Sequence, residues 1–135
     1  MIEAGRIDHA AHNNQALEQL IETIELDQTV ESILNVIKKD PNLSLDNTSI
    51  LVTSDHETGG LSLNGYFKQD QSILANTKQG HKILSYSTGP EGHFKTKKSA
   101  HTGVDVFLFA WGNDLKNING NIDNTEIFKI IFNQL

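Results

Sequence analysis

Asp8 and His12 stand four residues apart in the stretch IEAGRIDHAAH. On one turn of helix, side chains at that interval share a face, with Cβ atoms about 5–6 Å apart. A single zinc ion, with ligand bonds of ~2.0–2.2 Å, can bridge such a pair. An isolated D-x-x-x-H is more simply an exposed ion pair worth a few tenths of a kcal/mol. A second acid and imidazole stand side by side in LVTSDHETGG, where an apolar run ends on Asp55-His56. Neighbours in a regular strand point to opposite faces, so both can address one site only if the chain leaves the strand there. Glu57-Thr58-Gly59-Gly60 supplies that exit, since glycines permit sharp backbone turns. The pair fits equally an acid capping a turn beside a loop histidine. Ser99-Ala100-His101-Thr102-Gly103 sets one more imidazole at the entry to an apolar segment, and Glu3 adds a carboxylate close before Asp8. Each residue has a bland explanation alone; the set does not. Glu3, Asp8, His12, Asp55, His56 and His101 flank turns instead of lying on apolar stripes. Their donors suit Zn2+ through His and carboxylate, with an oxygen-preferring ion such as Mg2+ near Glu3.

Composition narrows the alternatives. The 135 residues are 37% hydrophobic and 21% charged, a globular balance at a length that suits one domain at most. With no cysteine, thiolate and disulfide chemistry are excluded and any metal must be held by His and carboxylates. A net charge of −6 argues against a nucleic-acid surface. The basic run Lys95-Thr96-Lys97-Lys98 reads as a solvated loop. No apolar run reaches membrane-spanning length, and Met1-Ile2-Glu3-Ala4-Gly5-Arg6 has neither the basic start nor the apolar core of a signal peptide.

The elements that must position these donors follow from periodicity. Met1-Ile2 reads as the stub of a strand, and Ile7 to His12 has helical spacing. Leu17, Leu20, Ile21, Ile24, Val30, Ile33, Leu34 and Ile37 recur at helical intervals. Asn14 is the expected N-cap of that helix, and Lys38-Lys39 before Asp40-Pro41-Asn42 its stop. Thr48 to Thr53 is short and β-branched, a buried strand. Residues 61–103 suggest long loops with a hairpin around Lys82-Ile83-Leu84-Ser85-Tyr86, and His81 and His93 read as loop histidines. Val104 to Trp111 is a further strand, and Thr125 to Leu135 a closing amphipathic helix. The order is α/β, and the crevice beyond strand carboxyl ends is where such sheets bind ligands. Two strands and a stub make a poor sheet, so residues 1–135 are expected to be one segment of something larger.

Three stretches in order, IEAGRIDHAAH, LVTSDHETGGL and HTGVDV, resemble the C-terminal part of alkaline phosphatases. The resemblance runs over essentially the whole chain, loosely between Leu61 and Ala100. It implies the partial three-layer α/β/α sandwich of that family. It also implies that Asp8, His12 and His101 hold one zinc, Asp55 and His56 a second, and Glu3 a magnesium. The implied activity is phosphomonoester hydrolysis through a phosphoserine. The family's nucleophilic serine, its bridging aspartate, its magnesium-binding hydroxyl and its phosphate-clamping arginine precede this segment, so the chain alone is expected to bind zinc with little or no turnover. Ser54 and Arg6 do not match those motifs. His9 stands where some members carry a lysine that reaches phosphate through water, an outer role at the site. Phe107 replaces a proline common after VDV. By resemblance, the whole protein would work in the periplasm or outside the cell, its leader lying on the absent part, and would form a homodimer. The competing readings are another metal-dependent phosphohydrolase or mutase of the superfamily, and a non-catalytic zinc-binding remnant.

Overall fold

The structure, a computed structural model, describes residues 1–63, 84–86 and 98–133. His81, His93 and most of the basic run at 95–98 lie outside the described residues. The chain gathers into two compact units, Met1–Gln28 with His56–Val104, and Thr29–Asp55 with Asp105–Leu135.

The first unit opens with α1 (Arg6–His12), which buries Ala10 and Ala11. Small side chains on that face let the helix lie close to β2 (Glu57–Thr58). The strand stub expected at Met1-Ile2 does not form: both side chains are exposed, and no described strand lies alongside to pair with them. Asn14 is not the cap of the second helix but the left-handed residue that ends the first, at φ 57°. Its amide donates to the Ala11 carbonyl at 2.9 Å and the Gln15 amide to the Ala10 carbonyl at 2.9 Å. That pair of bonds is the Schellman closure, and asparagine is the common substitute for glycine there. Helix α2 (Ala16–Lys39) follows at once and runs from this unit into the other. Its stripe is covered unevenly, with Leu17, Ile21 and Ile24 about half exposed and Ile37 buried.

Two short antiparallel ladders complete the unit. Strand β2 pairs with β5 (His101–Thr102), setting Glu57 opposite Thr102 and Thr58 opposite His101. Strand β3 (Leu61–Leu63) pairs antiparallel with β4 (Leu84–Tyr86), and the residues that would connect them in the expected hairpin lie outside the described residues. Gly59 and Gly60 link β2 to β3 at φ of 100° and 60°, a left-handed pair that L side chains adopt at a cost of roughly 1–2 kcal/mol each.

In the second unit, β1 (Ile50–Thr53) pairs antiparallel with β6 (Leu108–Trp111), from Ile50 opposite Trp111 to Thr53 opposite Leu108. The expected strand from Val104 starts late because β1 ends at Thr53 and offers nothing further to pair with. A 3-10 turn, Asn113–Leu115, carries the chain on, its first amide bonded to the Leu45 carbonyl at 2.8 Å. The last helix, α3 (Asn124–Phe132), is capped by Asp123, whose Oδ1 accepts from the Thr125 amide at 2.9 Å and hydroxyl at 2.7 Å. Those bonds hold the Asp123 carboxyl below its ordinary range. No residue of α3 is buried: Phe128, Ile131 and Phe132 are exposed, as are Phe107 and Phe109 at β6. Among the described residues, no helix is long and apolar enough to cross a membrane.

Candidate metal centre

Alternation along β2 and its approach decides which side chains meet. His56 and Thr58 are two apart and so share a face, and the ladder sets His101 directly across from Thr58. The imidazoles of His56 and His101 stack with centroids 3.5 Å apart. Helix α1 lies against β2 and brings Asp8 and His12 to the same place from one face of its turn. Chain positions some ninety residues apart thus meet at one point.

Asp8, His12 and His101 form a group whose donor atoms all lie within 4.8 Å of one another. The two Nε2 atoms are 3.1 Å apart, Asp8 Oδ1 is 3.4 Å from that of His12, and 3.8 Å from that of His101. Ligands at ~2.0–2.2 Å around a tetrahedral ion are separated by about 3.3–3.6 Å, so one zinc fits among the three. The ring of His12 is oriented for the purpose. Its Nδ1 lies 2.7 Å from the Ser99 carbonyl, which can only accept, so the proton sits on Nδ1 and Nε2 carries the lone pair. The Ser99 amide in turn donates to the His12 carbonyl at 2.9 Å, and its hydroxyl bonds Asn14 Oδ1. Ser99 is fully buried. The donors themselves are open to water, the side chains of Asp8 and His101 being 35% and 49% exposed. An ion held by these three donors would keep a side open to water, as exchangeable sites do and closed structural zinc sites do not.

Glu57 explains why the turn after His56 is so sharply defined. Its carboxylate accepts from the amides of Gly60 at 3.0 Å and Leu61 at 3.2 Å, and from the Thr102 hydroxyl. One acid therefore closes the turn and fastens β5, which carries His101. Tyr86 flanks the same turn, its hydroxyl donating to Gln19 Oε1 at 2.6 Å. Burial, and then the Glu18 carboxylate, push its phenol above the ordinary value.

The other expected donors are placed differently. Glu3 is exposed, its carboxylate beside Gly5. Asp55 is exposed at the end of β1, immediately before His56. His9 is exposed, and its carbonyl accepts from Asn13 at the end of α1. Neither Glu3, Asp55 nor His9 belongs to the three-donor group. Thr58, Glu57 and Ser99 were missed as orienting residues. All three lay inside stretches that drew notice for the donors beside them, but no spacing rule marks a residue that acts through another's ring or carboxylate.

Fold and site together define a class, an α/β scaffold carrying a solvent-open group of three donors that could hold a metal ion. The sequence matches the alkaline phosphatase family over residues 1–99 and 91–135, and the chain belongs to that family. It is 30% identical to the membrane-bound alkaline phosphatase of Bombyx mori, over 82% of this chain and 25% of that protein. It is likewise 30% identical to the alkaline phosphatase of Escherichia coli K12, over 94% of this chain and 25% of that one. Among solved structures it superposes on a TAB5 alkaline phosphatase mutant with Mg bound in its M3 site. The TM-score is 0.69 at 28% identity, covering 98% of this chain and 34% of the other. The chain thus spans about a quarter of the length of the first two relatives.

Proposed function

We infer that this chain supplies the zinc-holding part of a phosphomonoesterase site, in which Asp8, His12 and His101 hold one Zn2+. Asp55 and His56 would contribute to a second Zn2+ and Glu3 to a Mg2+, a reading supported by motif order and family. When bound, two zinc ions in such a site supply an activated oxygen nucleophile and stabilise the leaving oxygen of the ester. The chain's own part is orientation. Ser99 aims the His12 ring, Glu57 fixes the β5 strand beneath His101, and α1 aligns Asp8 with His12. The convergence of those three donors at tetrahedral spacing carries the reading.

A whole enzyme needs a nucleophile and a phosphate clamp that no motif here supplies, and the exposed apolar faces of α3 and β6 suit the interior of a larger sandwich. The expected behaviour of the 135-residue chain is therefore zinc binding with little or no turnover. The site of a full-length relative working outside the cytoplasm, as a homodimer on phosphomonoesters, belongs to the same proposal. Zinc titration against a competing chelator tests it. Asp8→Ala and His101→Ala should each weaken binding by more than the roughly 10–100-fold that outer partners contribute. Unchanged affinity in both would remove the metal reading. A phosphomonoester assay on the zinc-loaded chain that showed robust turnover through a phosphoserine would reveal an overlooked nucleophile.

A further inference from the structure

We propose that Thr58 is a positioning residue whose single hydroxyl orients a donor of each zinc pocket, fixing Asp8 and the tautomer of His56 together. The proposal rests on the metal reading above. Thr58 is 6% exposed, and its Oγ1 lies 2.6 Å from Asp8 Oδ1 and 3.1 Å from His56 Nδ1. An ionised carboxylate only accepts, and a hydroxyl owns one proton, so that proton goes to Asp8. What remains on Oγ1 is acceptor capacity, and the contact with His56 is then satisfied only by a proton on Nδ1. Nε2 is thereby left as the lone-pair nitrogen, the form in which an imidazole ligates a metal. The same logic that Ser99 applies to His12 thus reaches His56 through a different partner.

The consequence is coupling. Asp8 stands in the three-donor group and His56 beside it, stacked on His101, and both lean on one oxygen atom. Because Thr58 is also the residue paired with His101 in the ladder, its backbone sets the register of a third donor. A side chain of the same shape without the hydroxyl would keep the packing and lose the orientation.

Thr58→Val and Thr58→Ser separate those roles. Zinc affinity is read by chelator competition, and the His56 tautomer by long-range proton–nitrogen NMR correlations on the metal-free chain. Thr58→Val should bind zinc about 10–100-fold more weakly than the parent, as expected when an outer partner is lost. Thr58→Ser, which keeps the hydroxyl, should restore affinity to within a few-fold. His56 should carry its proton on Nδ1 in the parent and in Thr58→Ser, and shift toward Nε2 in Thr58→Val. Equal zinc affinity of the parent and Thr58→Val would overturn the proposal, as would an Nε2-protonated His56 in the parent. Should the parent fail to bind zinc, the metal reading falls, while the parent's tautomer still decides whether Thr58 orients His56. If Thr58→Val does not fold, judged by circular dichroism, the tautomers of the parent and of Thr58→Ser decide the matter.

Discussion

Gly59 offers a sharp test of how tightly the turn holds the site. A Cβ added there would lie 2.6 Å from Cδ1 of Tyr86, 3.2 Å from its Cε1 and 3.5 Å from the Ala11 carbonyl oxygen. The Tyr86 ring cannot swing aside cheaply, because its hydroxyl is bonded to Gln19. The backbone adds a second penalty, since φ is 100°. Left-handed geometry costs an alanine about 1–2 kcal/mol, and overpacking a close contact about 1–3 kcal/mol. Gly59→Ala should therefore destabilise the first unit by roughly 2–5 kcal/mol. Gly103→Ala is the control. Its Cβ would meet nothing within 4 Å and its φ is ordinary, so it should be neutral or gain about 0.4–1 kcal/mol by restricting the unfolded chain. Urea unfolding followed by far-UV circular dichroism gives the difference. Hydrogen exchange at the Gly59 amide, bonded to the Ala100 carbonyl at 2.9 Å beside His101, shows whether the loss reaches the three-donor group. If the two variants unfold at the same urea concentration, the steric account of this turn is wrong.

Two further tests follow from titration. Tyr86→Phe deletes the bond to Gln19 Oε1 and should cost about 0.5–1.5 kcal/mol in the same urea assay. In the parent, phenolate formation followed by ultraviolet absorbance should fall above the ordinary 10.0, and Glu18→Gln should lower it part of the way. The carboxyl of Asp123 titrates below 3.8 because its bonds to Thr125 favour the charged form. Its contribution to α3 is thus fully present above the unfolded value and lost as pH falls through the lower folded one. Exchange protection of the Thr125 amide should drop over that acid range in the parent, while Asp123→Asn, which keeps an acceptor, should show no such dependence.

The helices were legible because their signals are long. The apolar recurrence from Leu17 to Ile37 spans enough turns to define α2; the α/β class rested on the order of the elements, and the family on three ordered stretches. Boundaries were less so. Asn14 carries the chemistry of an N-cap and of a C-terminal closure alike, and only the bonds to Ala10 and Ala11 distinguish them. The Asp8–His12 spacing could suggest a shared face, since four residues return a helix to the same side. What no local pattern could show is the two-residue ladder that sets Thr58 opposite His101, because so short a strand has no periodicity to read. Nor could it show that Ser99 would aim the ring of His12, because a main-chain carbonyl has no sequence signature.

The reciprocal clasp between Ser99 and His12 has a bearing on how such chains can vary. It registers the incoming chain only two positions ahead of His101, and so fixes where that imidazole meets β2. A single residue inserted between Ser99 and His101 would send the imidazole to the opposite side of its strand and dismantle the trio. The two positions after Ser99 therefore leave the chain no freedom in length.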